Sequence, residues 1–166
     1  MMRILKLGQK GVTLVEMLIV MGLLAIFLLI MTTIFTSTLD VQNQTDAYSS
    51  VLSDGRFIMA RINYDIAIST GISSPTGLGV TSTTLALVTA TNSYTYALSG
   101  GNLQLTDSSG TANLNSGGTV VSGLSFTKLG NTGGKNTTRY TFTLTSTAKH
   151  AGTTDTQTFT TTAGRR

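Results

Sequence analysis

Residues 17–35 read MLIVMGLLAIFLLIMTTIF, an apolar run whose only polar atoms are the hydroxyls of Thr32 and Thr33. No other property of the chain constrains its fold as tightly. As a helix rising 1.5 Å per residue, this run spans roughly 28 Å, close to the ~30 Å hydrocarbon core of a bilayer. A single acidic residue, Glu16, stands at its start. A carboxylate inside hydrocarbon costs roughly 2.5–3.5 kcal/mol on insertion scales, so such a group is by default a functional one. Arg3, Lys6 and Lys10 precede the run, and no Lys or Arg follows until Arg56. That asymmetry puts the N-terminus in the cytoplasm and the bulk of the chain outside.

The 166 residues suit one anchor and one modest domain. The formal charge of +4 arises mostly in the leader, because the Lys and Arg beyond residue 10 nearly balance the seven Asp and Glu. A nucleic-acid surface built on bulk charge is therefore disfavoured. The chain has no cysteine, which excludes disulfides, thiolate nucleophiles and cysteine-ligated metals. The charged fraction of 11%, with heavy use of Thr, Ser, Gly and Asn, suits an extracytoplasmic β-rich domain.

Three processing schemes compete at the N-terminus. An ordinary secretory signal is cut after its apolar stretch, near Thr36-Ser37-Thr38. An uncleaved signal anchor is not cut at all. Both leave Glu16 unexplained. The third scheme rests on the basic leader ending in Gly11, then Val12-Thr13-Leu14-Val15-Glu16 and the long apolar run. This arrangement resembles the type IV prepilin signal of the prepilin-type cleavage and methylation family. The resemblance implies cleavage by prepilin peptidase between Gly11 and Val12, N-methylation of Val12, and an assembly role for Glu16. It implies three kinds of partner: other pilins or pseudopilins through the N-terminal helix, the membrane, and the inner-membrane assembly platform. The implied location is the cytoplasmic membrane, single-pass with N-terminus in and C-terminus out, and then an extracytoplasmic pilus or pseudopilus.

Physical chemistry fits these roles. Gly11 offers small, flexible backbone to a protease. Glu16 and a freed amine on Val12 attract strongly in low dielectric, although desolvation offsets much of the gain, so their pairing sets register more than stability. The chain also departs from the family pattern. Val12 replaces the commonest Phe, the apolar run lacks a mid-helix proline, and no C-terminal disulfide can form.

Beyond the membrane run, Tyr48, Val51 or Leu52, Ile58, Ile62 and Ile66 recur at three- to four-residue spacing. That stripe predicts an amphipathic continuation of the helix with one face against a domain. Arg61 and Asp65 form a candidate i,i+4 pair. Residues 69–75, STGISSP, supply the stop. The stretch 54–66, DGRFIMARINYDI, resembles a helix of the minor pilins that include the J-type pseudopilins. After Pro75 the pattern alternates in short runs bounded by turn residues. Strands are predicted over 85–88, over 94–98 and 103–105 as a hairpin on Gly100-Gly101, over 120–129, over 140–144 after a Gly133-Gly134 turn, and over 155–162 as an edge. The hairpin puts Leu98 opposite Leu103 and Tyr96 opposite Leu105. Residues 108–118 read as a loop.

The expected fold is α+β and pilin-like: a long N-terminal helix packed against a small antiparallel β-sheet head. Residues 1–11 form the leader, 12–36 the transmembrane and assembly helix, 37–70 its amphipathic continuation, and 71–166 the head. No catalytic residue, cofactor or metal ion is expected, since His150 is the only histidine and the acidic residues are scattered. His150 reads as a surface loop residue. Five tyrosines and the basic Lys128, Lys135, Arg139 and Lys149 raise the idea of a DNA-binding face, against which tyrosine packing within the head is preferred. The expected function is that of a structural, minor subunit of a type IV pilus-like fibre, with roles in adhesion, twitching or DNA uptake. Two alternatives stand beside it: a type II secretion pseudopilin, and a membrane-anchored ligand-binding β-domain that does not polymerise.

Overall fold

One helix, α1, runs from Leu14 to Ile68. It contains no proline, and residues 14–35 are rich in Leu and Met, which keep a helix intact. The computed structural model describes residues 11–130, 137–150 and 152–165. The Gly133-Gly134 turn, Lys135 and most of the leader lie outside the described residues. The chain divides into two compact units, one reaching Val41 and the other starting at Gln42.

In the first unit every described residue is exposed, and every large apolar side chain between residues 17 and 35 is more than half exposed. Burial in the second unit follows a helical period: Ala47, Val51, Gly55, Ile58, Ile62, Asp65 and Ile66 turn inward. Val51 rather than Leu52 is the buried member of the expected pair, and Tyr48 remains exposed. The helix stops where expected. Ser69 Oγ donates to the Ile66 carbonyl at 2.8 Å, and Thr70 N–H already bonds to Val88.

The stop segment does more than end the helix, since Gly71–Ser74 forms a strand, β1. Then follow β2 (Thr81–Ser82), β3 (Leu85–Val88), β4 (Ser93–Ser99) and β5 (Asn102–Asp107). The remainder are β6 (Gly110–Asn113), β7 (Thr119–Leu129), β8 (Thr137–His150) and β9 (Thr153–Gly164). The head contains two antiparallel sheets rather than one, ordered β1-β3-β4-β5-β6 and β2-β7-β8-β9. The predicted loop over 108–118 contains β6. All four of its residues are exposed, so no apolar pattern announces it. His150 closes β8, paired with Thr153, rather than lying in a loop.

The β4–β5 hairpin has the predicted register, Tyr96 with Leu105 and Leu98 with Leu103. Gly100 and Gly101 both have positive φ, 56° and 79°, as a two-residue type I′ turn requires. Leu98 is nevertheless exposed, although its cross-strand partner Leu103 is fully buried. β7 runs continuously through 120–129, with a register shift between Ser122 and Ser125 and Gly123 at φ 60°. The bulge absorbs one residue and keeps Val121, Leu124 and Phe126 all on the buried side.

The core joins Val51, Ile58, Ile62 and Ile66 of α1 with Leu85, Leu87, Tyr96, Leu103, Phe126, Tyr140, Phe142 and Leu144 from both sheets. Polar ties locate the pieces. Asp54 Oδ2 accepts from Ser116 N–H at 2.9 Å, Ser116 Oγ at 2.8 Å and Thr119 Oγ1 at 2.5 Å. The Asn115 amide donates to the Thr119 carbonyl at 2.8 Å and accepts from Leu103 N–H at 3.0 Å, tying β5 to the start of β7.

Candidate functional site

Gly11, Val12 and Thr13 precede the helix, and all three are exposed. A Cβ placed on Gly11 would meet nothing among the described residues. Thr13 is the N-cap. Its Oγ1 accepts from Glu16 N–H at 3.3 Å, and its carbonyl accepts from Met17 N–H at 3.1 Å, the first helical bond. Helix starts leave four N–H groups unpaired, and a Ser or Thr cap satisfies one of them. Thr13-Leu14-Val15-Glu16 has the T-x-x-E spacing of a capping box, with Glu16 at N3. Its carboxylate therefore sits in the first turn, where the helix dipole favours negative charge. Thr13 was not singled out from the sequence, although its spacing to Glu16 was the signal that could have found it.

Glu16 thus has two features in one place: a capped, electropositive helix end and the start of an exposed apolar helix. The segment beyond it presents no unpaired hydroxyl at Thr32, Thr33, Thr36 or Thr38. Each donates to a carbonyl three or four residues back, at 2.8–3.0 Å. Such back-bonding removes the penalty of a free hydroxyl in hydrocarbon. Among the described residues, α1 is the one helix long and apolar enough to cross a membrane. Moving a large apolar side chain out of water gains roughly 1.5–3 kcal/mol, so a helix with this many exposed ones needs an apolar environment.

Among the described residues, the tyrosines and basic residues named for a DNA-binding face do not all lie at the surface. Tyr96 and Tyr140 are fully buried. Tyr96 O–H donates to Asp65 Oδ2, and Tyr140 O–H donates to Asn63 Oδ1 at 2.8 Å and is 3.1 Å from the Met59 carbonyl. Lys128 is buried too, with Nζ donating to the carbonyls of Ile72 and Thr76 at 3.2 and 3.3 Å. Burial pushes both phenols above their usual range, assisted at Tyr96 by the hydrogen bond to Asp65 and its charge. Tyr48, Tyr64, Arg139 and Lys149 stay exposed. The tyrosines of the strand cores therefore pack the head, while Arg61 reaches Asp65 at 2.9 Å as the i,i+4 spacing anticipates. Among the described residues no cluster of three or more His, Asp or Glu is placed to hold a metal ion.

Comparison with known families matches residues 6–32 to the prokaryotic N-terminal methylation motif. That match covers the leader's end, Gly11, Val12, Glu16 and most of the apolar run. No curated protein and no solved structure matches the chain.

Proposed function

Residues 6–32 carry the N-terminal methylation motif that marks type IV pilin-like prepilins, and from that premise we propose that the chain is a structural subunit of a type IV pilus-like fibre. The observation that carries the reading is the motif's coincidence with a capped helix start: Glu16 lies in the first turn of α1, immediately before an apolar run, residues 17–35, that is exposed throughout. Prepilin peptidase cuts between Gly11 and Val12, where exposed, non-helical backbone supports access. The freed amine of Val12 is methylated. Glu16 then pairs with the Val12 amine of a neighbouring subunit as the apolar helices bundle, which sets axial register.

Before assembly the chain is anchored in the cytoplasmic membrane, N-terminus in and head out, as the basic leader favours. The inner-membrane assembly platform then extracts it into the fibre. Its role is structural rather than catalytic. The resemblance of residues 54–66 to the minor-pilin helix supports a minor subunit serving adhesion, twitching or DNA uptake. The same resemblance favours a type II secretion pseudopilin as second reading. Neighbouring genes for a retraction ATPase or for a secretin-linked exporter separate the two.

Intact-mass analysis of the chain from membranes and from sheared fibres tests the proposal. The expected species begins at Val12 and carries one added methyl group. A chain still beginning at Met1, or one beginning beyond residue 36, overturns it.

A further inference from the structure

Among the described residues, the four sheet edges of the head are unequal. β2 has two residues, β1 and β6 have four each, and β9 has 12. Among the described residues, β8 is the one strand neighbour of β9. A long open edge presents a row of backbone donors and acceptors, and proteins usually blunt it with lysine, proline, a bulge or brevity. β9, TTDTQTFTTTAG, contains no lysine and no proline, and Asp155 is its one charge. The β8–β9 ladder has one irregularity, between Thr145 and Lys149, where the extra residues fall on β8. Thr156–Gly164 is therefore an unprotected run in regular register.

We propose that this edge pairs with the β9 edge of a second copy of the chain, antiparallel across a two-fold axis. Length selects the occupant: every other edge of the head offers at most four residues, and only another β9 matches the full run. Chemistry agrees. Centred on Phe159, the pairing sets Thr158 against Thr160 and Thr156 against Thr162, so threonine meets threonine on the outer face. The β8–β9 seam already uses that pairing, with Oγ1 atoms of Thr141 and Thr160 at 3.0 Å, Thr143 and Thr158 at 2.9 Å, and Thr145 and Thr156 at 3.1 Å. Asp155 falls opposite Ala163, so no charge meets its like. Such an isologous contact closes on itself and yields a dimer rather than an open chain of heads. The inference stands on the head alone: α1 lies across β9 and β8, with Gly55 against Phe159 and Met59 and Asn63 against Tyr140, so the two-fold reverses its direction between copies and the dimer is a state outside the fibre.

The test uses the full chain in detergent, with sedimentation analysis across a concentration series and amide hydrogen exchange on β9. The expected result is a monomer–dimer equilibrium in which β9 amides exchange more slowly as concentration rises. Thr160→Lys, which charges the edge, abolishes the dimer. Thr141→Lys breaks the same hydroxyl pair one strand further in, and it leaves the dimer intact. A monomer at all concentrations overturns the proposal. So does a dimer that survives Thr160→Lys, one whose β9 amides exchange freely, or one lost equally in both variants.

Discussion

Asp65 shows how much a single side chain can carry in a small head. It is fully buried on α1, and its Oδ2 takes bonds from Arg61 Nε and Tyr96 O–H. Hydrogen bonds to charged groups are worth about 1.5–3 kcal/mol. Tyr96→Phe should therefore lower unfolding stability by about that much, and a loss below about 0.5 kcal/mol in urea titrations would show that the bond contributes little. Gly55 acts by having no side chain, because a Cβ there would collide with Cζ of Phe159. Gly55→Ala gains about 1 kcal/mol of helix propensity, yet must push Phe159 off its stack on Phe142 at 5.2 Å. A net loss of about 1–2 kcal/mol is expected, and a raised melting temperature would contradict it. Glu16 belongs to a different energy scale, since the proposed pairing places its partner on another chain. Glu16→Leu should leave membrane insertion intact and cut fibre incorporation about tenfold or more, the factor corresponding to ~1.4 kcal/mol of lost pairing. Equal incorporation in a fractionation assay would remove the assembly role.

Among the elements, the β4–β5 hairpin has the most local logic and also a tertiary duty. Its turn carbonyl at Gly101 accepts from Val121 N–H at 2.8 Å, which ties one sheet to β7 of the other. Both turn glycines have positive φ, but a Cβ at Gly100 meets open space while one at Gly101 sits 3.0 Å from Val120. A left-handed non-glycine residue costs roughly 1–2 kcal/mol. Gly100→Ala should cost about that, and Gly101→Ala should cost more. Thermal melts of the two variants give the order, and a reversed order would sink the argument. The hairpin register could be read from residues 94–105 because turn chemistry and alternation agree there. β6 could not, since its four residues are all exposed and it is held by backbone pairing and by polar side-chain contacts with β5, Thr111 with Thr106 and Asn113 with Gln104.

At the scale of the whole molecule, the two units make opposite demands on their surroundings. The apolar helix up to Val41 buries nothing of itself, whereas the head closes its own core around two tyrosines. Those tyrosines set a pH limit. The native head holds Tyr96 and Tyr140 protonated above their usual range, so unfolding releases their protons once pH exceeds the free phenol value of about 10. Stability should be flat with respect to these groups below that pH and fall above it, by about 1.4 kcal/mol per pH unit for each tyrosine. Tyr140→Phe should halve that alkaline slope in urea titrations between about pH 10 and 12; an unchanged slope would exclude Tyr140. The anchor, the helix stripe, the hairpin and the edge position of β9 were legible in the sequence, because each depends on periodicity or on contacts a few residues apart. The tertiary structure alone decided the division into two sheets, the burial of Lys128, and the reach of Asp54 to Ser116 and Thr119. Those outcomes depend on which distant segments meet, and no local pattern of residues encodes the free energy of such meetings.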